Sequence, residues 1–93
     1  MNGPGHVTRR VVVHGMVQGV FFRDTCRREA QARGIAGWVS NRGDGAVEAL
    51  FSGTPDAVEE MVAWARSGPP RAMVERVDVQ DGDPPGNDRF EVR

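Results

Sequence analysis

The stretch Gly15-Met16-Val17-Gln18-Gly19-Val20-Phe21-Phe22-Arg23 carries the residue types that hold a phosphoryl group. Glycine lets a backbone curl until successive N–H groups point inward, and a helix N-terminus just behind adds unpaired donors and the positive end of a dipole. Arg23 falls in the first turn of the helix that follows, where a cation opposes the macrodipole by roughly 0.3–1 kcal/mol; a bound dianion would reverse that cost. The same features also describe an ordinary strand-to-helix connection with a solvated arginine, and local spacing does not choose between the two. The Gly-Lys-Ser/Thr of a P-loop and the Gly-x-Gly-x-x-Gly of a dinucleotide site are both missing, so neither ATP nor NAD is indicated.

The elements that must position this stretch follow from periodicity. Val7, Val11 and Val13 share one face of a strand, with Thr8, Arg10 and His14 on the other, and the glycines at 15 and 19 are expected to interrupt it. Phe22, Cys26 and Ala30 recur every four residues, which predicts an amphipathic helix that stops at Gly34. Ile35 to Asn41, the turn Arg42-Gly43-Asp44-Gly45, and the alternating Val47, Ala49 and Phe51 predict a hairpin. Thr54 as N-cap and Pro55 at the first helical position open a second helix with a core stripe of Val58, Met61, Val62 and Ala65. Gly68-Pro69-Pro70 stops it, Val77 and Val79 mark a further strand, and Phe90 and Val92 a short last one. The order βαββαβ with a short extra C-terminal strand predicts an α+β, ferredoxin-like sandwich: an antiparallel sheet with two helices on one face.

Composition bounds the rest. Ninety-three residues suit one domain, expected over residues 7–93 after a flexible N-terminal leader at 1–6. No run approaches the roughly 20 apolar residues that span a bilayer, and the N-terminus has no secretory pattern, so no membrane role is expected. A lone cysteine, Cys26, allows no intrachain disulfide and no Cys-x-x-Cys pair, and a reducing cytoplasm is the expected location. The net charge of -1 does not suit a general nucleic-acid binder, yet seven Arg face three acids in residues 1–47 while five Arg face ten acids in residues 48–93. An anion is therefore better received by the first half. No carboxylates or imidazoles have ligand spacing, so neither a metal nor any other cofactor is expected.

Residues Gly15 to Arg23 resemble the signature of the acylphosphatase family, Gly-x-Val-Gln-Gly-Val-x-Phe/Tyr-Arg, at every specified position. Gly37-Trp38-Val39-Ser40-Asn41, followed by Gly45, Val47 and Gly53, resembles the family's second signature; Ser40 departs from it, standing where members usually carry a longer side chain. The resemblance implies hydrolysis of the carboxyl-phosphate bond of acyl phosphates, with Arg23 and Asn41 catalytic. Arg23 would bind the phosphoryl oxygens alongside the loop residues Gly15, Val17, Gln18, Gly19, Val20, Phe21 and Phe22, and Asn41 would position the attacking water. Topology is compatible, because in a split β-α-β unit the first two strands run parallel and their C-terminal ends reach one edge.

An acyl phosphate suits minimal machinery: its leaving carboxylate, with a reference pKa near 4, is stable at neutral pH without protonation. Expected partners are thus a small-molecule acyl phosphate and inorganic phosphate as product inhibitor, with the chain a monomer. The competing reading is a non-catalytic ferredoxin-like module that binds phosphorylated small ligands or RNA. For RNA, Ala46-Val47-Glu48-Ala49-Leu50-Phe51 offers no stacking platform on a central strand. Cys26 is read as core packing, His14 as a solvated histidine, Arg42-Gly43-Asp44 as turn residues, and Trp38 and Trp64 as packing positions with Trp38 near the site rim.

Overall fold

A computed structural model describes residues 5–93. Of the expected leader, residues 1–4 lie outside the described residues, while Gly5 and His6 are exposed before the first strand. The elements run β1 (Val7–Met16), α1 (Phe22–Ala32), β2 (Ala36–Asn41), β3 (Val47–Gly53), α2 (Pro55–Ser67), β4 (Met73–Asp81) and β5 (Phe90–Val92). They form a five-stranded sheet in the order β4-β1-β3-β2-β5, the expected α+β sandwich. Four strands pair antiparallel, and β5 adds beside β2 in parallel, which makes the sheet mixed. The parallel edge is continued by Gly37 N–H donating to the Arg89 carbonyl at 3.0 Å and Arg93 N–H to the Val39 carbonyl at 2.8 Å.

Capping sets both helix ends. The Thr54 hydroxyl accepts from Ala57 N–H at 3.3 Å, with Pro55 opening α2. At the end of α1, Gly34 N–H donates to the Gln31 carbonyl and Ile35 N–H to the Ala30 carbonyl, the paired bonds of a Schellman stop. The core lies between sheet and helices: Val11, Val13, Val39, Val47 and Phe51 meet Phe22, Cys26, Ala30, Val58, Met61 and Ala65. Val62 packs at its margin, only partly buried. Phe22 packs on Trp64 with ring centroids 5.1 Å apart, and Phe51 on Phe90 at 6.0 Å.

Cys26 is fully buried, and burial, helped by the charge of Glu29, pushes its thiol well above the ordinary range, so it stays protonated. Cys26→Ser places a hydroxyl in this apolar site at a cost of about 1–3 kcal/mol. The melting temperature is expected to drop by several degrees while turnover at a permissive temperature persists. A folded variant without turnover would contradict the packing role.

The opposite sheet face carries polar pairs. Arg10 pairs with Glu48, the Thr8 and Ser52 hydroxyls lie 2.9 Å apart, and His14 Nε2 lies 3.0 Å from Asp78 Oδ2. His14, expected to be simply solvated, is thus half-buried and held by a carboxylate. Trp38 alternates with the buried Val39 and lies beneath the Arg93 guanidinium, 5.2 Å from its ring centre. The hydrogen bond to His14, then that from Arg76, holds Asp78 below its usual carboxylate pKa; the Ala46 N–H, then Arg42, does the same for Asp44. Both carboxylates titrate lower when folded than unfolded. The stability they contribute is therefore complete above about pH 4 and lost as pH falls through the depressed folded values. Melting temperatures should decline across that acid window, with a shallower decline in Asp78→Asn; an equally steep decline there would refute the assignment.

Candidate active site

Strand β1 runs on past Val13 through His14, Gly15 and Met16 instead of ending where glycine first occurs. Its pairing with β4 shifts register between His14 and Gly15, leaving Glu75 as an extra residue between Arg76 and Val74. Gly15, at φ 129°, permits the close approach: a Cβ there would lie 2.1 Å from the Met73 carbonyl oxygen. Gly15 is thus a strand residue, and the curl begins after it.

Within the curl Gly19 has φ 74°, and Phe21, the N-cap of α1, has φ 61° and ψ 27°. A left-handed conformation costs a non-glycine residue on the order of 1–3 kcal/mol, and the alternation it creates is the backbone pattern that turns N–H groups to one side. Phe21 supplies no side-chain cap, so the N-cap residue itself does not compete for the first N–H groups of α1. The first helical bond is from Thr25 N–H to the Phe21 carbonyl at 3.1 Å.

These groups open into a cavity of about 500 Å³ lined by Val17, Gly19, Phe21, Phe22, Arg23, Asp24, Arg27, Asn41 and Val92. Six of the residues expected at the site thus come together: Val17, Gly19, Phe21, Phe22, Arg23 and Asn41. Gly15, Gln18, Val20 and Trp38 do not line the cavity. Val20 is packed against the core. Gln18 ties the curl to the hairpin that follows Asn41, its Nε2 donating to the Arg42 carbonyl at 2.8 Å and the Ala46 carbonyl at 3.0 Å. The same turn is closed by Arg42 N–H to the Ala46 carbonyl at 2.8 Å, so one side chain joins the loop of Arg23 to the strand end that carries Asn41.

Arg23 is half-buried, and its Nη1 donates to the Arg93 backbone oxygen at 3.1 Å, which steers the guanidinium along the cavity wall. Asp24 accepts from Arg27 at 3.0 Å and lies 3.2 Å from Arg28, so the wall cation Arg27 is already compensated. Asp24 and Arg27 could have been suspected from their i,i+3 spacing beside Arg23, since such residues share a helix side. Val92 left no sequence signal beyond strand alternation.

The acylphosphatase family profile matches residues 9–92. The acylphosphatase of Rubrobacter xylanophilus is 53% identical over 85 residues, covering 90% of this chain and 77% of that protein. The acylphosphatase of Natronomonas pharaonis is 49% identical over 87 residues, covering 94% of this chain and 95% of the other. The solved structure of an acylphosphatase from Coxiella burnetii superposes with a TM-score of 0.91 at 35% identity, covering 96% of this chain and 94% of that one. Fold, motif order and near-full-length identity agree, and the chain belongs to the acylphosphatase family of hydrolases.

Proposed function

We propose that the chain hydrolyses small-molecule acyl phosphates without a metal ion, the loop from Val17 to Arg23 holding the phosphoryl group and Asn41 orienting the attacking water. The convergence of the uncapped start of α1, Arg23 and Asn41 on one cavity carries this reading. The water oxygen forms a bond to phosphorus as the bond between phosphorus and the acyl oxygen breaks. The electron pair leaves with the carboxylate, and the water's protons pass to phosphate and solvent. A loose transition state of this kind depends on positioning and charge stabilisation, the two things that a fixed guanidinium, backbone amides and a neutral amide provide. The carboxylate leaves unprotonated at neutral pH, so the reaction has no need of a general acid.

Phosphate release from acetyl phosphate at neutral pH tests the reading. Turnover is expected to persist in EDTA, and inorganic phosphate is expected to inhibit competitively and to raise the melting temperature by preferential binding to the folded chain. Activity abolished by EDTA and restored by magnesium would sink the metal-free mechanism, and a phosphate titration without a thermal shift would count against the loop as the anion site. The lone, buried Cys26 supports a cytoplasmic setting, and action as a monomer is assigned with it; sedimentation at working concentration checks the latter.

A further inference from the structure

The sheet face turned away from the helices carries, at the end of β1, a group of side chains that the hydrolysis does not use. Met16 and Met73 are directly opposed across β1 and β4, so both point to one face, and they are 66% and 65% exposed. His14 shares that face: along β1 the side chains of Val13 and Val17 enter the core, while His14 and Met16 alternate with them. None of these three lines the cavity of Arg23 and Asn41. Methionine is usually a core residue, as the wholly buried Met61 is here, so two long thioethers left in water at opposed positions forgo the burial that normally places them.

Register brings the three within reach of one point. Opposed residues have Cβ atoms roughly 4.5–5.5 Å apart, a residue two positions along a strand starts about 7 Å away, and methionine has three rotatable bonds with which to aim its sulfur. The imidazole is already oriented. His14 Nε2 lies 3.0 Å from Asp78 Oδ2; a carboxylate only accepts, which places the proton on Nε2 and leaves the Nδ1 lone pair as the ring's donor to a ligand. Arg76 lies 3.2 Å from the same nitrogen and also donates to Asp78, so its charge is compensated.

Two thioethers and a neutral imidazole make an uncharged, soft donor set. Calcium and magnesium take oxygen ligands, and zinc takes thiolates, imidazoles and carboxylates. Among the described residues no three His, Cys, Asp or Glu side chains gather into a group for such an ion. Thioethers select Cu(I), and imidazole accepts it as well.

We infer that His14, Met16 and Met73 form a site for one soft univalent cation, Cu(I), which joins β1 to β4 outside the catalytic cavity and takes no part in the hydrolysis. The test titrates the chain with Cu(I), kept reduced by ascorbate, against a chromophoric Cu(I) chelator, and compares Zn(II). A single Cu(I) per chain is expected, bound at least about a hundredfold more tightly than Zn(II). Met16→Leu, Met73→Leu and His14→Gln should each weaken binding about tenfold or more, and Asp78→Asn about tenfold by loosening the ring. Cys26→Ser and Met61→Leu, whose sulfurs are buried in the parent, should bind as the parent does. Leucine keeps the volume of methionine, so the fold should persist. A measurement on the parent alone adds an independent reading: Ag(I), a redox-silent probe, should shift the methyl resonances of Met16 and Met73 and leave that of Met61 in place. No saturable Cu(I) binding, an affinity for Zn(II) as high as for Cu(I), unchanged binding in both methionine variants, or loss of binding in Cys26→Ser would each overturn the site.

Discussion

Arg23→Ala is expected to lose phosphate binding and turnover together, with kcat reduced by about 10²–10³-fold, the scale of removing a preorganised donor from a developing charge. In the proposed mechanism the guanidinium contacts phosphoryl oxygens in the ground state and more strongly as charge redistributes, so binding and rate should fall in the same variant. Its existing partner, the Arg93 backbone oxygen at 3.1 Å, is exposed, so the substitution should disturb the fold little. Arg23→Lys should rescue only part of the loss, because a point charge cannot present two parallel donors to two phosphoryl oxygens. The measurements are steady-state kinetics and the phosphate-induced thermal shift. A folded Arg23→Ala that keeps the parent's shift would remove Arg23 from the anion site.

Asn41→Ala is expected to divide what Arg23→Ala joins. Phosphate affinity, read as the competitive inhibition constant, should stay within a few-fold of the parent, while kcat falls about 10²-fold or more, the scale of lost positioning. Asn41 ends β2 and belongs to neither the loop nor the start of α1, so the anion cradle is expected to survive its truncation. The comparison requires a cooperative melt in each variant. Folded Asn41→Ala turning over at the parent rate would leave the water without its assigned guide. Gln18 adds an internal check, because its two bonds to the hairpin set the spacing between the halves of the site.

Both helices and the alternating strands were legible from periodicity, since a helix stripe or a strand face depends on neighbours within a few positions. Phe22, Cys26 and Ala30 all lie in the core, Thr54 caps α2, and Gly34 lies at the stop of α1 as its place in the chain suggested. Periodicity ends the first strand near Val13, because glycine usually breaks a pattern. Here the missing Cβ at Gly15 admits the Met73 carbonyl, a partner on a strand far along the chain that no local rule brings near.

The motif from Gly15 to Arg23 and Asn41 was available to the sequence alone, as were the family they point to and the order of elements that delivers them to one sheet edge. The division of labour within the motif was decided by the tertiary structure. Gly15 serves strand packing, Val20 the core and Gln18 the tie to the hairpin, while Val17, Gly19, Phe21, Phe22 and Arg23 meet the cavity. Val92 reaches the same cavity only because β5 pairs parallel to β2, and the oxygen that steers Arg23 belongs to a residue 70 positions away. Local sequence biases each residue's own backbone and side-chain face, but which faces meet is set by long-range register, whose energy comes from contacts made only when the whole sheet has closed.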